Sequence, residues 1–148
     1  MIIGEAPGRN EDETGEPFVG RSGQLLFRLI EEEIGLKREE CFVTSVVKCR
    51  PPANRTPTKY EIKTCRPWLD EQLSYIAPHF VVTVGNTSGR EVFGFEGTMR
   101  DVHGQVLQIG SVPGLATYHP AAALRGGSTV VDMMRCDFRV VRKQLASL

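Results

Sequence analysis

The residues able to do chemistry gather in three short segments. Gly4-Glu5-Ala6-Pro7-Gly8 is followed by Glu11-Asp12 and then by Gly15-Glu16-Pro17-Phe18-Val19-Gly20. Glycines let a ligand approach backbone amides closely, and prolines fix the path of the chain. Phe18, held between Pro17 and Val19, has two readings: a ring that stacks on a planar ligand, or a plug for the core beneath its loop. A phosphate-binding loop is a poor reading of these glycines, because no Gly-Lys-Ser/Thr ending or dinucleotide fingerprint follows them. The second segment is Val47-Lys48-Cys49-Arg50-Pro51-Pro52 with Asn54-Arg55, and the third is His119-Pro120-Ala121-Ala122-Ala123-Leu124-Arg125. Taken alone, His119 reads equally as a functional imidazole or as a hydrogen-bonded structural one.

Each segment begins where the hydrophobic pattern ends a strand. Met1 to Ile3 read as the end of a buried strand that looks cut short, and a loop follows from Glu5 to Arg21. Ser22 suits the cap of a helix with Leu25, Leu26, Leu29, Ile30 and Ile34 on one face and Gly35 as its stop. The span 41–47 reads as the next strand, and 48–57 as a proline-rich loop. Thr58 and Glu61 have capping-box spacing, opening a helical turn expected to break near Pro67, from which a second helix runs to Ala77. Strands are predicted at 79–84, 106–109 and 114–118, a helix at 86–93, and a final helix at about 129–145 with Val130, Met133, Met134, Phe138, Val141 and Leu145 inward. Strands alternating with helices predict an α/β, three-layer domain with a central, mostly parallel sheet of about four strands flanked by helices. Ligands bind such sheets at the carboxyl ends of the strands, so the three segments should share one cleft.

A chain of 148 residues with 41% hydrophobic content can bury one core, and 1–148 is expected to be a single domain. Eighteen Lys plus Arg balance eighteen Asp plus Glu, so net charge does not announce a nucleic-acid partner. Distribution says more: Lys48, Arg50, Arg55, Lys59, Lys63 and Arg66 face one acid, Glu61, whereas the first twenty residues are acidic. A basic flank beside an acidic pocket suits phosphate; solvated surface charge is the equal alternative. Glu5 and Pro7 interrupt the apolar start as no signal peptide would, and no stretch suits a membrane span. The expectation is an intracellular, cytoplasmic monomer.

Together, in order and with matching spacing from Met1 nearly to the end, these motifs resemble the family four (iron-sulfur type) uracil-DNA glycosylases. The resemblance implies a monofunctional DNA glycosylase, a hydrolase that flips uracil or a related deaminated base out of DNA and cuts its N-glycosidic bond, starting base excision repair. It implies that His119 and Glu5 are catalytic: His119 donates toward uracil O2 as negative charge develops, and Glu5 orders the attacking water or stabilises the sugar cation. Phe18, Ser45, Ala6 and Gly8 would bind the base, while Leu124 and Arg125, in a loop after the histidine, would fill the gap and grip phosphate with Arg50 and Arg55. Ser45 departs from the family, which usually carries an asparagine there; a hydroxyl cannot offer both amide groups in one plane. Its ordinary use would be to satisfy local backbone. No lysine sits where an amine nucleophile is needed, so strand-cutting lyase chemistry is not expected. The rival readings are a noncatalytic DNA-binding module descended from such an enzyme, and a nucleotide-binding protein indifferent to base identity.

The same resemblance implies a 4Fe-4S cluster on four cysteines, of which Cys49 and Cys65 match two; the other two would lie before the first strand. The site in this sequence is therefore incomplete, either because an N-terminal region is absent from it or because a shortened protein has lost the cluster. Cys41 cannot complete it, being roughly 26 Å from Cys49 along an extended segment. Cys41 and Cys136 read as buried thiols.

Overall fold

The computed structural model describes residues 1–148. Strands β1 (Ile2–Gly4), β2 (Val43–Ser45), β3 (Val81–Val84), β4 (Leu107–Ile109) and β5 (Val112–Thr117) form one sheet in the order β2-β1-β3-β5-β4. β1, β2, β3 and β5 run parallel, and β4 joins the edge antiparallel to β5. Seven helices accompany them: α1 (Arg9–Thr14), α2 (Arg21–Ile34), α3 (Lys59–Ile76), α4 (Asn86–Phe93), α5 (Met99–Val102), α6 (Pro120–Gly126) and α7 (Ser128–Ala146).

The three layers follow from the two-residue period of the strands. Ile2 and Val82 point into one core, with Leu25, Leu26, Leu29 and Ile30 of α2 and Met134, Phe138 and Val141 of α7. Their neighbours Ile3 and Val81 point the opposite way, against Ile62 and Leu69 of α3 and Val92 of α4. The helices α2 and α7 are also joined by charge: Glu33 takes hydrogen bonds from Arg135 at 2.7 Å and Arg139 at 2.8 Å. Those two guanidiniums hold the Glu33 carboxyl below its ordinary range.

Several sequence expectations need correction. The expected break at Pro67 does not occur, and α3 runs through it. Pro67 and Lys63 lie on the exposed side, so the carbonyl that proline leaves unpaired faces solvent, while buried Ile62 and Leu69 anchor the helix on both sides. The expected loop 5–21 contains α1, capped by Gly8 and closed by Gly15 in the left-handed region. α2 starts at Arg21 with Gly20 as its cap in place of Ser22. Cys136 is exposed on α7 and Cys41 is half-buried. Leu124 and Arg125 lie in the helix α6, not in a loop.

Candidate active site

The carboxyl ends of β1, β2, β3 and β5 open into one cleft of about 990 Å³. Its walls include Glu5, Ala6, Gly8, Phe18, Ser45, Arg55, His119 and Arg125, so residues distant in sequence meet as the strand-end rule requires. Arg50 and Leu124, and the thiols of Cys49 and Cys65, lie outside that lining.

His119 caps α6, its Nδ1 accepting the N–H of Ala121 at 3.0 Å. An Nδ1 that accepts carries no proton, so the neutral ring carries its proton on Nε2. Burial pushes the imidazole pKa below its ordinary value, and nearby Glu5 only partly offsets this. A neutral Nε2–H donor therefore stands at the end of β5. A Cβ placed on Gly85 would lie 3.4 Å from His119 Cβ, so the turn after β3 is the surface on which His119 rests.

Behind the histidine lies a network that sequence reasoning missed. Thr117, the last residue of β5, donates to Asp137 Oδ2 at 2.5 Å, and His103 Nδ1 meets Asp137 Oδ1 at 2.9 Å. Asp137 is 1% exposed, and burial raises its pKa against the pull of both partners. The ring of Tyr118 packs on that of His103 at 5.1 Å. These contacts pin the two residues before His119 to α7 and to the segment after α5. Asp137 falls within a helix whose pattern announces only an apolar face, so its signal was confined to one acid at an inward position.

Phe18 plugs the core beneath its loop and is also reached from the cleft. Its ring packs against the core of α2 and β1 and also lines the cleft, 6.2 Å from the His119 ring at a tilt of 37°. A Cβ on Gly4 would come within 2.5 Å of Phe18 Cζ, which is why the first motif opens on glycine.

The polar contacts are less free than the sequence suggested. The Gly8 N–H donates to Glu11 Oε1 at 3.1 Å at the start of α1, so it is not open to a ligand. The Ala6 N–H has no protein acceptor. The Ser45 hydroxyl donates to the Val47 carbonyl at 2.6 Å, leaving its oxygen lone pairs for the cleft. The Lys48 ammonium, pushed down to about 8 by burial, sends its protons to Thr44 Oγ1, the Ser45 carbonyl and Gln72 Oε1. It is held as a brace beneath the cleft.

The basic flank divides. Arg55 pairs with Glu61, Arg66 pairs with Asp70 at 2.7 Å, and Arg50 donates to Asn54 Oδ1 at 2.7 Å. Lys59 and Lys63 are exposed on α3. Leu124 leaves 46% of its surface exposed, next in the chain to Arg125, which lines the cleft.

The sequence matches the Uracil DNA glycosylase superfamily over residues 1–145. This chain belongs to that superfamily. Among the superfamily's curated members, a type-4 uracil-DNA glycosylase of Saccharolobus solfataricus is 42% identical, the match covering 99% of this chain and 71% of that protein. A type-4 uracil-DNA glycosylase of Sulfurisphaera tokodaii is 41% identical over 97% of this chain and 68% of its own. A type-5 uracil-DNA glycosylase of Pyrobaculum aerophilum is 34% identical over 82% of this chain and 60% of its own. The five-stranded, mostly parallel sheet agrees with the three-layer α/β architecture expected of a superfamily member.

No group of three or more His, Cys, Asp or Glu side chains converges as metal ligands. Cys49 is exposed, and half-buried Cys65 accepts the Lys48 N–H at 3.5 Å. Two thiols fall short of the four a 4Fe-4S cluster requires. No helix is long and apolar enough to cross a membrane.

Proposed function

We propose that this chain is a monofunctional DNA glycosylase that excises uracil flipped out of DNA, the activity named for its type-4 relatives. The observation that carries the reading is the neutral His119, with its proton on Nε2, in one cleft with Phe18, Glu5 and the unpaired Ala6 N–H. The base enters with its face on Phe18, and His119 Nε2–H donates to O2. Ala6 N–H offers a further donor, and the Ser45 oxygen accepts from the base edge.

Cleavage breaks the bond between C1′ and N1, and the electron pair leaves with the base as an anion whose charge spreads onto O2. A donor already aimed there lowers the barrier without reorganising at the moment of reaction. The sugar is left as an oxocarbenium ion, which Glu5 stabilises by charge. Water adds to C1′, and its proton passes to the Glu5 carboxylate or to solvent. The Lys48 amine takes no part, since its protons are engaged and it braces the cleft floor.

On the DNA side, exposed Leu124 enters the gap left by the base, and Arg125, Arg55 and Arg50 meet phosphates. A cluster would need thiolates beyond Cys49 and Cys65, so no step depends on one. Release of free base from single-stranded and duplex oligonucleotides carrying one uracil tests the proposal, with His119→Ala as the control. Release by the parent protein and its loss in the variant are expected. Binding without release by the folded protein would favour a noncatalytic DNA-binding module.

A further inference from the structure

We infer that Arg38 is a positioning residue that holds Phe18 in the backbone conformation required for base stacking, an inference that rests on the proposed role of Phe18. Arg38 opens a short 3-10 turn, Arg38–Glu40, between α2 and β2. From there its guanidinium reaches back twenty residues, Nη1 donating to the Phe18 carbonyl at 3.1 Å and Nη2 to the Pro17 carbonyl. The same group stands 4.5 Å from the centroid of the Phe27 ring on α2. A rigid planar fork grips two successive carbonyls while resting on an aromatic face; a lysine ammonium has no such fork.

What this clamp holds is strained. Phe18 has φ 53°, the left-handed region that a bulky residue without special support avoids. Strain of this kind persists where the surroundings over-determine the conformation. Three surfaces do so here. Gly4 leaves room for the ring, and a Cβ on Gly23 of α2 would collide with the Phe18 carbonyl carbon and oxygen. Arg38 donates to that same carbonyl. Without the guanidinium, the peptide can swing into an ordinary conformation, which redirects the Cα–Cβ bond and lifts the ring from Gly4 and the cleft.

The test pairs NMR with kinetics on Arg38→Met, Arg38→Lys, Phe18→Ala and the Phe18→Ala/Arg38→Met double variant. Backbone chemical shifts of Phe18 report its φ whether or not the protein releases a base. Left-handed shifts are expected in the parent protein, and their loss in Arg38→Met; Arg38→Lys serves if the methionine variant fails to fold. Unchanged Phe18 shifts in a folded Arg38 variant overturn the inference. In single-turnover base release, Arg38→Met should slow the chemical step about 10- to 100-fold, the scale for a misplaced active-site group, while the oligonucleotide KM holds. In the Phe18→Ala background the same change should cost less than about twofold, because nothing remains to position. An equal loss in both backgrounds also overturns the inference. Absence of release by the parent protein would instead count against the proposed function, leaving the shifts to decide the role of Arg38.

Discussion

The rings of Phe18 and His119 stand 6.2 Å apart and are tilted by 37°. A base sandwiched between two parallel rings would need about 7 Å, two carbon contacts of about 3.5 Å each. The two side chains therefore do not sandwich a ligand. Under the proposed function, Phe18 supplies a wall and His119 meets the edge of what rests on it, a division of labour that separates holding the base from stabilising its charge.

Replacing His119 by alanine should raise the barrier to base release by about 3 to 4 kcal/mol, as for loss of a preorganised oxyanion donor. The loss belongs in the chemical step, so single-turnover rates should fall while oligonucleotide affinity stays near that of the parent protein.

Phe18→Ala removes the stacking wall and should cost about 1 to 3 kcal/mol. Phe18→Tyr, which keeps the ring, should retain most of the rate. Single-turnover kinetics on both variants separate stacking from a purely structural plug, for which melting temperature and not rate would change.

Ser45→Ala should change uracil release by less than about 1 kcal/mol, because the hydroxyl proton is already committed to the Val47 carbonyl. What is lost is one acceptor for the uracil edge, so the effect should be small and fall on uracil more than on hypoxanthine. Equal shifts on both substrates would show that the Ser45 oxygen does not read the base edge.

The depressed His119 pKa links stability to pH. The unfolded chain takes up a proton near the ordinary value of about 6.5, while the folded imidazole stays neutral to lower pH. The unfolded state then binds more protons in that window, so stability falls as pH drops below about 6.5 and levels off below the folded pKa. Asp137 gives the opposite sign at lower pH, since its raised pKa makes the folded state hold its proton longer. Denaturant titrations of the parent protein and His119→Gln at pH 5 to 8 should show a flatter acid slope in the variant.

The 148-residue chain, incubated with iron and sulfide under reducing conditions, should stay colourless and bind no stoichiometric 4Fe-4S cluster, since its cysteines assemble no complete site. Absorbance and iron analysis check this. The Cys49→Ser/Cys65→Ser variant should melt close to the parent protein, with a modest loss from the half-buried Cys65.

Local order in the sequence determined a great deal: the end of β1 at Gly4, the helical face of α2, the final helix, and the convergence of three motifs on one cleft, while β2 proved shorter than the span 41–47 read from its residues. These follow from residue periodicity and from the geometry of parallel sheets, both of which are readable over a few residues. The folded structure decided the rest, through partners far away in the chain and through local hydrogen-bond geometry that residue types alone do not fix. Pro67 was tolerated because its side of α3 faces solvent. The amide of Gly8 and the hydroxyl of Ser45 were spent on local acceptors whose geometry no motif encodes. The tautomer of His119 follows from one amide two residues on, a local cap, and the posture of Phe18 from an arginine twenty residues away, a contact that exists only once the strands have closed.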